Sequence, residues 1–182
     1  MPPLAVNVQA SHPSFRTLVA DVLKRPDVTA VPTAKQADVH VLLDFPLSWA
    51  MYELEPIGSV ARAQTLVVTQ GANPAYLDAL ASYHVSGVAT TMDPTAIVGG
   101  LYSAAAAQRS YNYRSGLTYM ELKVARFLLM GFDTQGAAHQ LGVSTKTINA
   151  HISNALCKLG FDNRSQLVVH LLGADPAFLH VA

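Results

Sequence analysis

Residues 117–172 constrain this chain more than any other stretch, because four short helical patterns follow one another there, each with its own start signal. Thr118-x-x-Glu121 has the spacing of a capping box, in which a hydroxyl accepts from the backbone three residues on and the carboxylate reaches back. It predicts a helix to Met130. Asp133 or Thr134 opens a second helix, ending at Leu141-Gly142. Ser144 opens a third, running to Leu159-Gly160, and Asn163-x-x-Gln166 repeats the capping logic for a fourth, up to Leu172-Gly173. A glycine just past a helix end supplies the left-handed conformation that stops it. A short helix, a tight turn containing Gly142 and a longer helix make a helix-turn-helix.

Rotating the third helix by ~100° per residue sorts its side chains. Ile148, Ile152, Ala155, Leu156 and Leu159 fall on the inward side. Lys146, Asn149, Ala150, Ser153 and Cys157 fall opposite, and Thr147, His151, Asn154 and Lys158 form a flank between them. Small residues and a short amide approach base edges closely: Asn pairs with adenine through two hydrogen bonds, and Ala touches a thymine methyl. The donors of the flank suit phosphate oxygens. An ordinary amphipathic surface helix carries the same pattern, so the four-helix context is what favours double-stranded DNA as the partner.

The first half alternates strand and helix patterns, which implies a doubly wound parallel sheet. Strands are expected at residues 4–8, 28–31, 39–44 (VHVLLD), 65–69 (TLVVT) and 87–90. Helices are expected at residues 13–24, 74–83 and 93–108, the last with Asp93 as cap and Pro94 in its first turn. Phe15, Leu18, Val19, Val22 and Leu23 recur at helical spacing in the first of these. Only seven residues, PTAKQAD, separate Val31 from Val39. A parallel crossover usually needs a dozen or more, so that helix is missing or reduced to a turn. Residues 45–64 form one irregular helix in this reading.

Composition excludes several classes. With 51% hydrophobic and 13% charged residues the chain buries a core and is not disordered. It has no apolar run of ~20 residues for a membrane span and no signal peptide at MPPLAVNVQ. One cysteine, Cys157, rules out an internal disulfide framework, and no zinc spacing is present. A cytoplasmic setting without cofactor or metal fits best. The histidines are scattered and no nucleophile–base set or phosphate loop is visible, so an enzyme is not expected. Formal net charge is zero, but it is unevenly spread: residues 1–107 carry −3, residues 108–115 carry +2 and residues 116–172 carry +2. Such a modest positive charge limits phosphate contact per subunit and favours a homodimer.

The residues Leu117-Thr118-x-x-Glu121, Gly131, Ala138, Leu141-Gly142-Val143-Ser144, Lys146-Thr147-Ile148, His151, Asn154 and Lys158-Leu159-Gly160 resemble the C-terminal domain of LuxR/NarL/FixJ-type transcription regulators. The resemblance implies a four-helix module whose third helix reads the major groove. It also implies dimer contacts on the fourth helix, at Leu167, Val168, Leu171 and Leu172, residues that could instead simply close the core. Two positions depart from the family. Gly136 stands where Glu is usual, which loosens the second helix. Cys157 stands where a basic residue is frequent; it could sense oxidation or be a small half-exposed residue.

With that module, the first half resembles the receiver domain of a NarL/FixJ response regulator. Such a domain needs an acidic pair for Mg²⁺, an acceptor Asp, a Thr or Ser, and a Lys. Here Ala10-Ser11 replaces the acidic pair, Asp44 stands at the acceptor position, Thr69 at the hydroxyl position, and Thr90 or Thr91 where Lys belongs. The resemblance therefore implies an atypical receiver with a degenerate site, Asp44 and Thr69; Asp44 could also be no more than a strand-end residue capping the next turn. The family's receiver dimer face maps to the last helix, with Ile97, Val98, Leu101 and Tyr102. The resulting division is a receiver-like domain at 1–107, a linker at 108–116, a DNA-binding domain at 117–173 and a tail at 174–182. Control is expected without Asp phosphorylation, by constitutive dimerisation, a small ligand or a partner protein. A conventional regulator phosphorylated at Asp44 and a protein-interaction module that does not bind DNA remain the alternatives.

Overall fold

The structure, a computed structural model, describes residues 2–57, 59–71, 73–109, 111–112 and 114–174, apart from the side chains of residues 59 and 60. The tail expected at 174–182 lies outside the described residues except for Ala174, as do Gly58, Ser110 and Tyr113. Helices α1 (Ala20–Leu23), α2 (Trp49–Leu54), α3 (Ser59–Ala63), α4 (Pro74–Ala81) and α5 (Pro94–Ala105) precede α6 (Tyr119–Leu129), α7 (Thr134–Leu141), α8 (Thr145–Leu159) and α9 (Arg164–Leu171). Strands are β1 (Leu4–Ala10), β2 (Val28–Ala30), β3 (Val39–Asp44), β4 (Thr65–Thr69) and β5 (Gly87–Ala89). The chain divides into two compact units. One is Met1–Gln70 with Tyr83–Asn112, the other Gly71–Ser82 with Tyr113–Ala182. Helix α4 thus groups with the C-terminal helices, which a single cut at residue 107 does not capture.

The first unit is built on a five-stranded parallel sheet of order β2-β1-β3-β4-β5. β3 and β4 are buried along their whole length, as the near-continuous apolar runs demand of central strands covered on both faces. Val6, Val8, Val41, Leu43, Leu66 and Val68 form one face with Val19 and Val22 before and in α1 and Ile97, Leu101 and Ala104 of α5. Gly100 lets α5 approach β4: a Cβ there would lie 2.9 Å from Leu66 Cδ1. The other face carries Asn7, Gln9, His40, Leu42 and Val67, by the alternation of side chains along each strand.

Several elements differ from the sequence expectation. Residues 13–24 are not one α-helix but a 3₁₀ segment, Pro13–Val19, followed by a single α-turn. A 3₁₀ turn holds three residues rather than 3.6, so the apolar spacing drifts, and Leu18 ends up exposed while Val19 and Val22 are buried. The expected single helix at 45–64 is two, α2 and α3, parted around Pro56, whose ring cannot continue a helix. The β2–β3 connection holds only the 3₁₀ turn Ala34–Gln36, as its length requires.

The second unit joins α4 to α6–α9. The capping box at Thr118 and Glu121 is formed, as is a second at Asn163 and Gln166. Asp133, not Thr134, caps α7, and Gly142 ends it with φ of 65°. Asn73 caps α4 and also donates through Nδ2 to the His170 carbonyl at 2.9 Å. The buried Asp78 carboxylate accepts from the backbone N–H groups of Arg114 (2.9 Å) and Ser115 (2.6 Å). Among the described residues no helix is long and apolar enough to cross a membrane.

Candidate nucleic-acid interface

Helix α8 starts at the Ser144 cap, whose Oγ accepts from the Thr147 N–H at 3.1 Å, and stops at Gly160 with φ of 75°. At about 1.5 Å per residue it is roughly 22 Å long, enough to lie in a major groove about 12 Å wide. Ile148, Ile152 and Ala155 are buried against the module, whereas Leu156 and Leu159, also expected inside, are half-buried. Lys146, Asn149, Ala150, Ser153 and Cys157 are all exposed on the opposite side. Of the flank, Asn154 is exposed, and Thr147 and His151 are half-buried. The Thr147 hydroxyl already meets Ser144 Oγ at 2.9 Å.

Lys158 is placed differently from the phosphate role expected of it. Its ammonium donates to Glu121 Oε2 at 2.7 Å, and Glu121 is only 3% exposed against 38% for the lysine side chain. Burial alone would raise the Glu121 carboxyl. The hydrogen bonds from Lys158 and Thr118 outweigh it and hold the group below its usual range. The same carboxylate accepts from the Thr118 N–H at 2.7 Å, so one buried anion ties the start of α6 to the end of α8. Two more cations of residues 116–172 are engaged within the unit. Arg126 is buried and donates to Ser82 Oγ at 3.3 Å, and Arg164 donates to the Phe132 carbonyl. Lys146 is left as the exposed cation of the α8 stripe. None of these internal roles could be read from charge type and spacing; the capping box was the one signal that marked Glu121 as structural.

The first unit gathers the receiver positions at the C-terminal ends of its strands. Asp44 and Thr69 are register partners, both wholly buried, and Thr69 Oγ1 donates to Asp44 Oδ2 at 2.9 Å. Asp44 Oδ1 accepts from the Ala50 N–H at 3.0 Å, in the first turn of α2. Ser11 donates its hydroxyl to the Phe45 carbonyl, and Thr91 Oγ1 accepts from the Asp93 N–H at 3.1 Å. Thr90 and Thr91 are exposed. This arrangement places one carboxylate, with both oxygens engaged, where phosphoryl chemistry needs several and an open approach.

The residues expected at dimer faces divide sharply by burial. Ile97 and Leu101 are 1% exposed and belong to the sheet core; Leu167 and Leu171, also 1% exposed, close the core of the second unit. All four are buried, because the helical phase that groups the apolar residues also turns them inward. Val98 and Val168 are half-buried, and Leu172 is exposed. Tyr102 is exposed, but its hydroxyl donates to Asp27 Oδ2 at 2.8 Å. The Arg25 and Tyr102 hydrogen bonds hold the Asp27 carboxyl down at about 2.

Residues 115–171 match the model of the family described as bacterial regulatory proteins, luxR family. The spore germination protein GerE of Bacillus subtilis (strain 168) is 40% identical over 65 residues, covering 36% of this chain and 88% of GerE. RcsB from Salmonella enterica serovar Typhimurium, solved bound to promoter rprA in the presence of the phosphomimetic BeF3⁻, has the same fold, with a TM-score of 0.59 at 20% identity. The match covers 94% of this chain and 99% of that one. A structure of two RcsB dimers bound to two parallel DNAs matches with a TM-score of 0.59 at 21% identity, over 93% and 98% of the two chains.

Proposed function

Because the chain belongs to the luxR family of bacterial regulatory proteins, we propose that it is a DNA-binding transcription regulator, not an enzyme. It acts as a homodimer and works without phosphorylation of Asp44. The observation that carries the reading is the stripe on α8, where Lys146, Asn149, Ala150 and Ser153 stand exposed over a buried Ile148–Ile152 seam. With α8 in the major groove, Asn149 pairs with an adenine edge, Ala150 meets a thymine methyl, and Ser153 bonds to either strand's bases. Lys146, Asn154 and His151 bind phosphates and fix the register. RcsB dimers are bound to DNA in one of the similar structures, and a dimer doubles the few cationic contacts that one α8 offers. Its dimer contact on DNA runs along the outer side of α9 over Val168 and Leu172, since Leu167 and Leu171 are buried. Residues 1–107 serve as the receiver-like input, with α4 packed into the output unit, 108–116 as linker and 117–173 as output, and a regulator of DNA works in the cytoplasm.

The buried, doubly hydrogen-bonded Asp44 supports phosphorylation-independence. Full-length protein incubated with Mg²⁺ and either acetyl phosphate or beryllofluoride is expected to show no mass increase at Asp44 and no tighter DNA binding. Stoichiometric modification would return the protein to the conventional class. The thin positive surface of the α8 module favours one competitor, an interaction module that does not bind DNA. Titration against genomic fragments at two salt concentrations separates the two. Sequence-selective, salt-sensitive binding supports the regulator, and absence of binding at low salt supports the competitor.

A further inference from the structure

The polar face of β1 and β3 is where the first unit departs most from a sheet clad in helices. The β2–β3 connection supplies only the turn Ala34–Gln36, so no crossover helix lies over β1 there. Under that gap β1 presents Asn7 and Gln9, and β3 presents His40, the register partner of Asn7. A cavity of about 380 Å³ opens over Gln9 and His40. Ala34, Pro56, Ile57 and Ala61 give it apolar walls, and Lys35 and Glu53 also border it without net charge.

Next to this floor, on the same face of β1 but outside the cavity lining, one buried polar atom is left over. Asn7 donates through Nδ2 to the Val31 carbonyl at 3.0 Å, while its buried Oδ1 has no partner. A buried polar atom without a partner is destabilising, so such groups call for an explanation. Burial pushes the His40 imidazole down, leaving it neutral at neutral pH, with one nitrogen to donate and one to accept. The wall opposite is held in place. Arg62 donates from Nε to the Leu54 carbonyl at 3.0 Å and from its terminal nitrogen to the Glu55 carbonyl at 2.9 Å, bracing the turn that carries Pro56 and Ile57.

We propose that this cavity is a small-molecule site, and that it takes an uncharged, mainly apolar molecule with one hydrogen-bonding end directed at His40 and Gln9. Its size lies within the range of ligand pockets, and apolar walls around a few polar groups are their usual composition. A charged ligand is disfavoured, because Lys35 and Glu53, the two ions that border the cavity, are of opposite sign and the floor itself carries none. The site stands independently of what α8 binds.

The test uses full-length, isotope-labelled protein and four probes, phenol and indole with their methylated counterparts anisole and 1-methylindole. Saturable NMR shifts are expected at the Gln9 side-chain amide and the His40 ring. Phenol and indole should bind about fivefold tighter than the methylated probes, the worth of one hydrogen bond of about 1 kcal/mol. Ala61→Phe, which fills the cavity from its wall, should weaken binding more than tenfold, and His40→Leu should abolish the preference for the unmethylated probes. Each variant's melting temperature confirms that it is folded. The proposal is overturned by no saturable shift with any probe, by equal affinity within each pair, or by shifts that survive Ala61→Phe.

Discussion

Replacing Lys158 by Met removes the ammonium and keeps most of the stem, so it isolates the ion pair with Glu121. The pair is intermediate in kind: Glu121 is 3% exposed and Lys158 38%. Breaking a fully buried pair costs about 3–5 kcal/mol, whereas an exposed one is worth about 0.2–1 kcal/mol after solvent screening. Glu121 keeps the Thr118 N–H as a donor in the variant, which limits the loss. The expected cost is therefore about 1–2 kcal/mol, between those two bounds. For a chain of this size that is a fall in melting temperature of about 2–8 °C, read by calorimetry on the full-length protein. Glu121→Gln should interact with it: the double variant loses less than the sum of the singles by about 1 kcal/mol. The DNA-binding salt slope should stay unchanged, because the ammonium is committed to Glu121. A slope shallower by about 0.9 with an unchanged melting temperature would mean that Lys158 contacts a phosphate instead, and the structural role assigned to it would be wrong.

The same carboxylate makes the protein acid-sensitive. The folded Glu121 carboxyl titrates below its ordinary value of 4.5, so its stabilisation is complete above that value and is lost as pH falls through the lower, folded one. Melting temperature measured from pH 6 to pH 3 should drop, and less steeply in Lys158→Met; parallel curves for the two proteins would contradict this. Cys157 is exposed on the α8 stripe, so Cys157→Lys should add one phosphate contact and steepen the DNA salt slope by about 0.9, an increase that anisotropy titrations at several salt concentrations detect or fail to detect.

The helices of the second unit were legible because their signals are local. A hydroxyl or amide oxygen at a cap accepts from backbone three residues away, so Thr118, Ser144 and Asn163 could be read in place. The α8 stripe was legible for the same reason: one period fixes which residues share a side. The sheet was legible from apolar runs. Residues 13–24 misled because a 3₁₀ and an α-helix begin with the same cap-and-proline signal and differ only in rise and rotation. Of the residues expected at dimer faces, Ile97, Leu101, Leu167 and Leu171 turned out buried, because an apolar side chain at helical spacing looks the same whether it faces its own core or a partner.

The strand pattern, the missing β2–β3 helix, the helix-turn-helix and the outward stripe of α8 follow from the linear chain. All of these depend on bonds and periods spanning a few residues. What the charged and polar residues are used for emerges only once the chain is folded. Lys158 and Glu121 lie 37 positions apart yet meet at 2.7 Å, and Asp44 and Thr69 are 25 apart and hydrogen-bonded. The tertiary structure also decided that Ile97, Leu101, Leu167 and Leu171 are core, and that Gln9 and His40 face a cavity. The role of a charge is set by its nearest opposite charge and its access to water, and in a folded chain both are fixed by residues far away along the sequence.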